Sequence, residues 1–184
     1  MMKKLTAIAL SLLLTLSIVS ALAGGVTFTT KYFTLELPEG WEIDTSNLQS
    51  DAESNLEDLG LFYSTEGKGL AVESFLIYYE DLKDLKLWDA DEDTLKEYAG
   101  LVMEDFSDDN PVFLDILKAG SVPFVLLKAT DEEGDYLYAD TITNGYAIVF
   151  MAYIVDTDGE TILPLTDESV EAFKTILNTF KPAA

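Results

Sequence analysis

The stretch from Tyr136 to Val155 constrains this chain more than any other, because two apolar runs rich in aromatic and β-branched residues meet at the dipeptide Asn144-Gly145. Asn-Gly between two such runs predicts a two-residue type I′ hairpin, since that turn needs positive φ at both central residues. With these residues in the turn, Thr143 pairs with Tyr146, Thr141 with Ile148, Ala139 with Phe150 and Leu137 with Ala152 on one face. Ile142 with Ala147, Asp140 with Val149, Tyr138 with Met151 and Tyr136 with Tyr153 make the other. The return strand from Tyr146 to Val155 then has no polar face, which predicts an inner strand covered on both sides.

At the other end of the sequence, Lys3-Lys4 precede an uncharged run from Leu5 to Val19, and Ala21-Leu22-Ala23 places small residues two apart. This pattern predicts a signal peptide over residues 1–23 with cleavage after Ala23, because a run of about 15 residues is short for a spanning helix, which needs roughly 20. The expectation is a secreted, extracytoplasmic chain with no membrane span in its mature part. No cysteine follows the cleavage point to carry a lipid. Residues 24–184 then form a single domain, large enough to bury roughly two thirds of the surface of its unfolded chain.

Charge narrows the partners. The 34 acidic residues face 11 lysines, and two of those lysines lie in the leader, so the mature part carries about −25. Such a field repels nucleic acid and anionic membrane surfaces and favours cations or basic partners. Cysteine, histidine and arginine are absent. The core must therefore stabilise an exported chain without disulfides, and thiolate catalysis, His-based triads, zinc sites and arginine phosphate clamps have no residues to use.

Alternation predicts a first strand from Phe28 to Leu37, stopped by Pro38-Glu39-Gly40 before Trp41, and a hairpin from Leu61 to Tyr79 turning at Glu66-Gly67-Lys68-Gly69. Asp91-Glu92-Asp93 opens a helix whose stripe is Leu95, Tyr98, Ala99, Val102, Met103 and Phe106. Strands Val112 to Lys118 and Ser121 to Thr130 follow it, and a last helix runs from Asp167 to Phe180 behind the cap Thr166. Two helices and a mostly antiparallel sheet with doubly apolar strands predict an α+β fold, a three-layer α/β/α sandwich with helices on both faces.

The segment Phe33-Thr34-Leu35-Glu36-Leu37-Pro38-Glu39-Gly40-Trp41 and the closing Ile176-Leu177-Asn178-Thr179-Phe180-Lys181-Pro182 resemble the PsbP-like α/β/α sandwich family. That family is named for an extrinsic photosystem subunit and includes a Ran-binding nuclear factor and many exported bacterial proteins. The resemblance implies the sandwich fold over nearly the whole mature chain and a habit of acting as a binding or assembly module. It carries over no catalytic residue.

Among candidate sites, the acids at Asp89, Asp91 and Asp93 and at Asp156, Asp158 and Glu160 suggest weak calcium binding. An EF-hand loop needs Gly at its sixth position and Glu at its twelfth. Counted from Asp89 those positions are Thr94 and Gly100, and from Asp156 they are Thr161 and Asp167, so both clusters depart from the motif. A carboxylate hydrolase needs only two acids roughly 5 to 9.5 Å apart, which 34 acids supply by chance. Asp140 stands out as a carboxylate on an apolar strand face, costly to bury unless a tyrosine hydroxyl satisfies it. The expected function is a non-catalytic exported acidic module, without cofactor, that contacts a protein or cell-envelope component. A calcium-dependent envelope or adhesion protein is the alternative. Tyr78, Tyr79 and Trp88, at and after a strand end, are the expected contact residues.

Overall fold

The computed structural model describes residues 25–46, 48–51, 55–65, 69–157, 159 and 161–183. The leader and its cleavage point at Ala23, the turn at Glu66-Gly67-Lys68, and Asp158 and Glu160 lie outside the described residues. Strands β1 (Thr27–Thr29), β2 (Phe33–Glu36), β3 (Trp41–Asp44), β4 (Ser50–Asp51), β5 (Leu56–Ser64) and β6 (Gly69–Tyr78) lead into α1 (Glu92–Asp105). After it come β7 (Val112–Ala119), β8 (Val122–Thr130), β9 (Asp135–Thr143), β10 (Tyr146–Val155), β11 (Ile162–Leu163), α2 (Asp167–Leu177) and β12 (Lys181–Pro182).

The large sheet runs β3-β5-β6-β10-β9-β8-β7, with every described pairing antiparallel. Its centre is the Asn-Gly hairpin. Asn144 has φ 52° and Gly145 φ 80°, and the ladder from Thr143–Tyr146 to Leu137–Ala152 follows the predicted register. Tyr136 and Tyr153 do not pair, because beyond Ala152 the returning strand bonds through Ile154 and Val155 to β11.

The expected three-layer sandwich is overturned. Of the described residues 48% are strand and 23% helix, with two α-helices among them, which makes this a β-rich fold. Doubly apolar inner strands demand a cover, but they do not specify a helical one. On one face the cover is shared between α2 and a second sheet, β1-β2-β12, which joins the start of the domain to its end. Phe150 there lies 5.4 Å from Phe33 and 5.9 Å from Phe124, and Phe33 and Phe124 lie 5.2 and 5.0 Å from Phe180. Trp41 is buried in the same cluster. On the other face, α1 and the segment before it bury Leu87, Leu95, Tyr98 and Val102 against Val125, Leu127, Tyr138 and Val149.

The strand expected from Phe28 to Leu37 is broken into β1 and β2. The Thr30 hydroxyl accepts the backbone N–H groups of Tyr32 and Phe33, both at 3.1 Å, and turns the chain into a hairpin. Both helices start where predicted. Asp91 accepts the N–H of Thr94 at 2.9 Å, and Thr166 and Ser169 form a reciprocal capping box.

Candidate functional site at the hairpin end

The chain leaving β6 is pinned to the tip of the central hairpin. The N–H of Tyr79 donates to the Gly145 carbonyl at 2.8 Å, that of Asn144 donates to the Leu85 carbonyl at 2.9 Å, and Lys86 bridges Thr143. This closure leaves room for no side chain at Gly145, where a Cβ would meet the Tyr79 carbonyl oxygen at 2.8 Å.

Tyr78 and Tyr146 meet there, and Tyr79 follows on the opposite face. The rings of Tyr78 and Tyr146 are 4.9 Å apart, Tyr146 is 45% exposed and Tyr79 is 42% exposed. The Tyr78 hydroxyl donates to Glu80 at 2.7 Å, and Lys83 donates to the other oxygen of that carboxylate at 2.9 Å. Both donors hold Glu80 below the usual carboxylate range, and the same carboxylate pushes the Tyr78 hydroxyl up. The expected residues Tyr78 and Tyr79 thus lie at the same strand end on opposite faces, Tyr78 against Tyr146 and Tyr79 over Asp140. Trp88 does not join them. Its half-buried ring stands edge-on to Phe180 between the two cores, and its indole N–H donates to the buried Thr141 hydroxyl at 3.0 Å. A large amphipathic ring gains more from that apolar slot and a partner for its N–H than from water.

Beneath Tyr79 lies Asp140, buried, with its Oδ2 accepting from the Tyr98 hydroxyl of α1. Tyr138 is two residues back on the same face, and Oδ1 has no hydrogen-bond partner. Burial pushes the carboxyl up to about 7, against the pull of the tyrosine hydroxyls and helped by Asp105. Burial beside this carboxylate also raises Tyr98, Tyr138 and Tyr79. The sequence signal for this contact was present in Tyr98, which alone on the α1 stripe has a polar tip. Nothing in the strand pattern revealed Tyr146 as exposed.

No group of three or more acidic, histidine or cysteine side chains is placed to hold a metal ion among the described residues. Asp91 is occupied as a helix cap, and Asp156 accepts the N–H of Thr157 at 2.7 Å. No helix among the described residues is long and apolar enough to cross a membrane.

Fold and site together define an antiparallel β-rich domain whose central hairpin presents an aromatic, acidic end. No protein-family pattern matches the chain, and no curated protein matches it. Among solved structures it is similar to the cyanobacterial PsbP protein CyanoP of Synechocystis sp. PCC 6803, at 15% identity and a TM-score of 0.47, over 88% of this chain and 94% of that one. It is also similar to a protein of Bacteroides thetaiotaomicron at 16% identity and a TM-score of 0.40, over 88% of this chain and 49% of that one. Likeness of this degree carries no argument about activity.

Proposed function

We propose that this chain is an exported, non-catalytic acidic module that binds a protein or cell-envelope partner through the tyrosine end of its central hairpin. One observation carries the reading. Tyr78 and Tyr146 stack at a hairpin end whose backbone is closed by two hydrogen bonds and a bridge, Tyr79 flanks them on the other face of the sheet, and Tyr79 and Tyr146 are each more than 40% exposed. Tyrosine supplies a large, stiff contact area with a polar tip, and such groups held on a rigid frame lose little entropy on docking. Export is read from Lys3-Lys4, the run to Val19 and the small residues at Ala21 and Ala23. Non-catalytic action is read from the residue inventory, which has no His, Cys or Arg.

The test compares capture from an envelope extract by the parent, by Tyr79→Ser/Tyr146→Ser and by Leu101→Ser, a change at an exposed residue of α1. The double variant should hold its partner at least tenfold more weakly, about 1.4 kcal/mol, while Leu101→Ser captures as the parent does. Equal capture by all three would move the contact surface away from the hairpin end.

A further inference from the structure

We infer that the groove between α1 and the edge strand β7 receives an extended, cationic segment of a partner chain, with apolar side chains on one face. This surface is separate from the tyrosine end. Strand β7 ends the large sheet, so among the described residues no strand pairs with its outer side. Exposed edges of this kind accept an added strand through their unpaired backbone groups. A bulge at Leu114 places Phe113 opposite Leu127 and Ile116 opposite Val125, so both side chains share the face of α1. Together with Lys96, Ala99, Gly100 and Met103 they line a groove of about 250 Å³. Phe113 is 45% exposed and its neighbour Val112 is 54% exposed.

Gly100 gives the second reason. Glycine weakens a helix interior relative to alanine, and a Cβ added here meets nothing within 4 Å. Nothing in the fold itself therefore needs this glycine. Its missing side chain leaves the groove open in the middle of α1, where another backbone can come close.

Charge selects the occupant. The helix carries Glu92, Asp93, Glu97, Glu104 and Asp105 against the single Lys96, whose ammonium is held by Glu92 at 2.7 Å. A second copy would bring the same acids against them, with a net charge of −23 on each chain. A segment alternating apolar residues with lysine or arginine places its apolar side chains in the groove and its cations on the opposite side, within the acidic field of the chain.

The test titrates the full chain with a capped eight-residue peptide of alternating leucine and lysine, followed by fluorescence anisotropy, and repeats it with alternating serine and lysine. Saturable binding of the first peptide is expected, at least tenfold tighter than the second. Phe113→Asp adds negative charge, so general attraction would strengthen binding, whereas loss of the groove's apolar wall should weaken it tenfold. Gly100→Leu should weaken binding equally while raising the melting temperature, which separates filling the groove from misfolding. Tyr79→Ser/Tyr146→Ser should bind the peptide as the parent does. Unchanged or tighter binding by Phe113→Asp, or similar binding of both peptides, would overturn the proposal in favour of diffuse charge attraction. Self-association in sedimentation that Gly100→Leu abolishes would overturn it in favour of a second copy.

Discussion

Asp140 is buried on an apolar strand face with the Tyr98 hydroxyl at one oxygen, and that burial sets how its contribution to stability responds to pH. Its folded pKa, about 7, lies above the ordinary aspartate value of 3.8, so the folded state binds this proton where the unfolded state has already released it. Stability from this group is therefore complete below about pH 4 and is lost as pH rises toward 7. Asp140→Asn keeps an acceptor for Tyr98 and removes the charge. The variant should match the parent near pH 4 and exceed it at pH 8 by up to about 4 kcal/mol, read by urea unfolding at several pH values. A difference that stays constant with pH would show that Asp140 titrates alike in both states. The comparison has to be made between the two proteins, because Glu73 is also raised by burial, while Asp135, Glu92 and Asp91 are lowered by their partners. At this scale the sequence showed that Asp140 lies on an apolar face, because strand alternation is local. Its partner lies 42 residues away on a helix, and no pattern within either element brings the two together.

Elements were most legible where a single residue type settles the backbone. Asn144 and Gly145 adopt the positive φ that their order predicts, and the ladder of β9 and β10 follows from that turn. Gly145→Ala should cost more than 1 kcal/mol, since a Cβ at φ 80° is strained and would also press on the Tyr79 carbonyl, the Tyr78 ring and Lys83. The same change should loosen the tyrosine end, which a rise in the fluorescence quenching of its rings would report. A loss below a few tenths of a kcal/mol would mean that the turn relaxes without cost. Caps were legible for the same local reason, as Asp91 and Thr166 show. The split between β1 and β2 was not, because Thr30 fits an extended strand as well as a side-chain-capped turn, and only its hydroxyl bonds decide between them. Nor was the bulge at Leu114, which is set by how β7 registers on β8.

Over the whole molecule, 34 acids against 11 lysines make repulsion the dominant surface term. Exposed pairs such as Lys31–Glu57, Lys96–Glu92 and Lys181–Glu36 oppose it, but solvent-exposed pairs contribute little and are themselves weakened by salt. Screening should therefore stabilise: raising salt from low ionic strength to roughly 0.2 M should lift the melting temperature by several degrees. A flat or falling curve would mean that the acids are already compensated in the folded state. The sequence by itself determined the sign of that field, the lack of thiol, imidazole and guanidinium chemistry, the central hairpin with its register, and the starts of both helices. All of these depend on composition or on neighbours within a few residues. Only the tertiary structure decided that a second sheet shares the cover of the large one with α2, that Trp88 turns inward while Tyr146 stays out, and that Tyr98 meets Asp140. Those outcomes depend on which apolar surfaces meet across the core, and apolar burial is non-directional until packing chooses the partner.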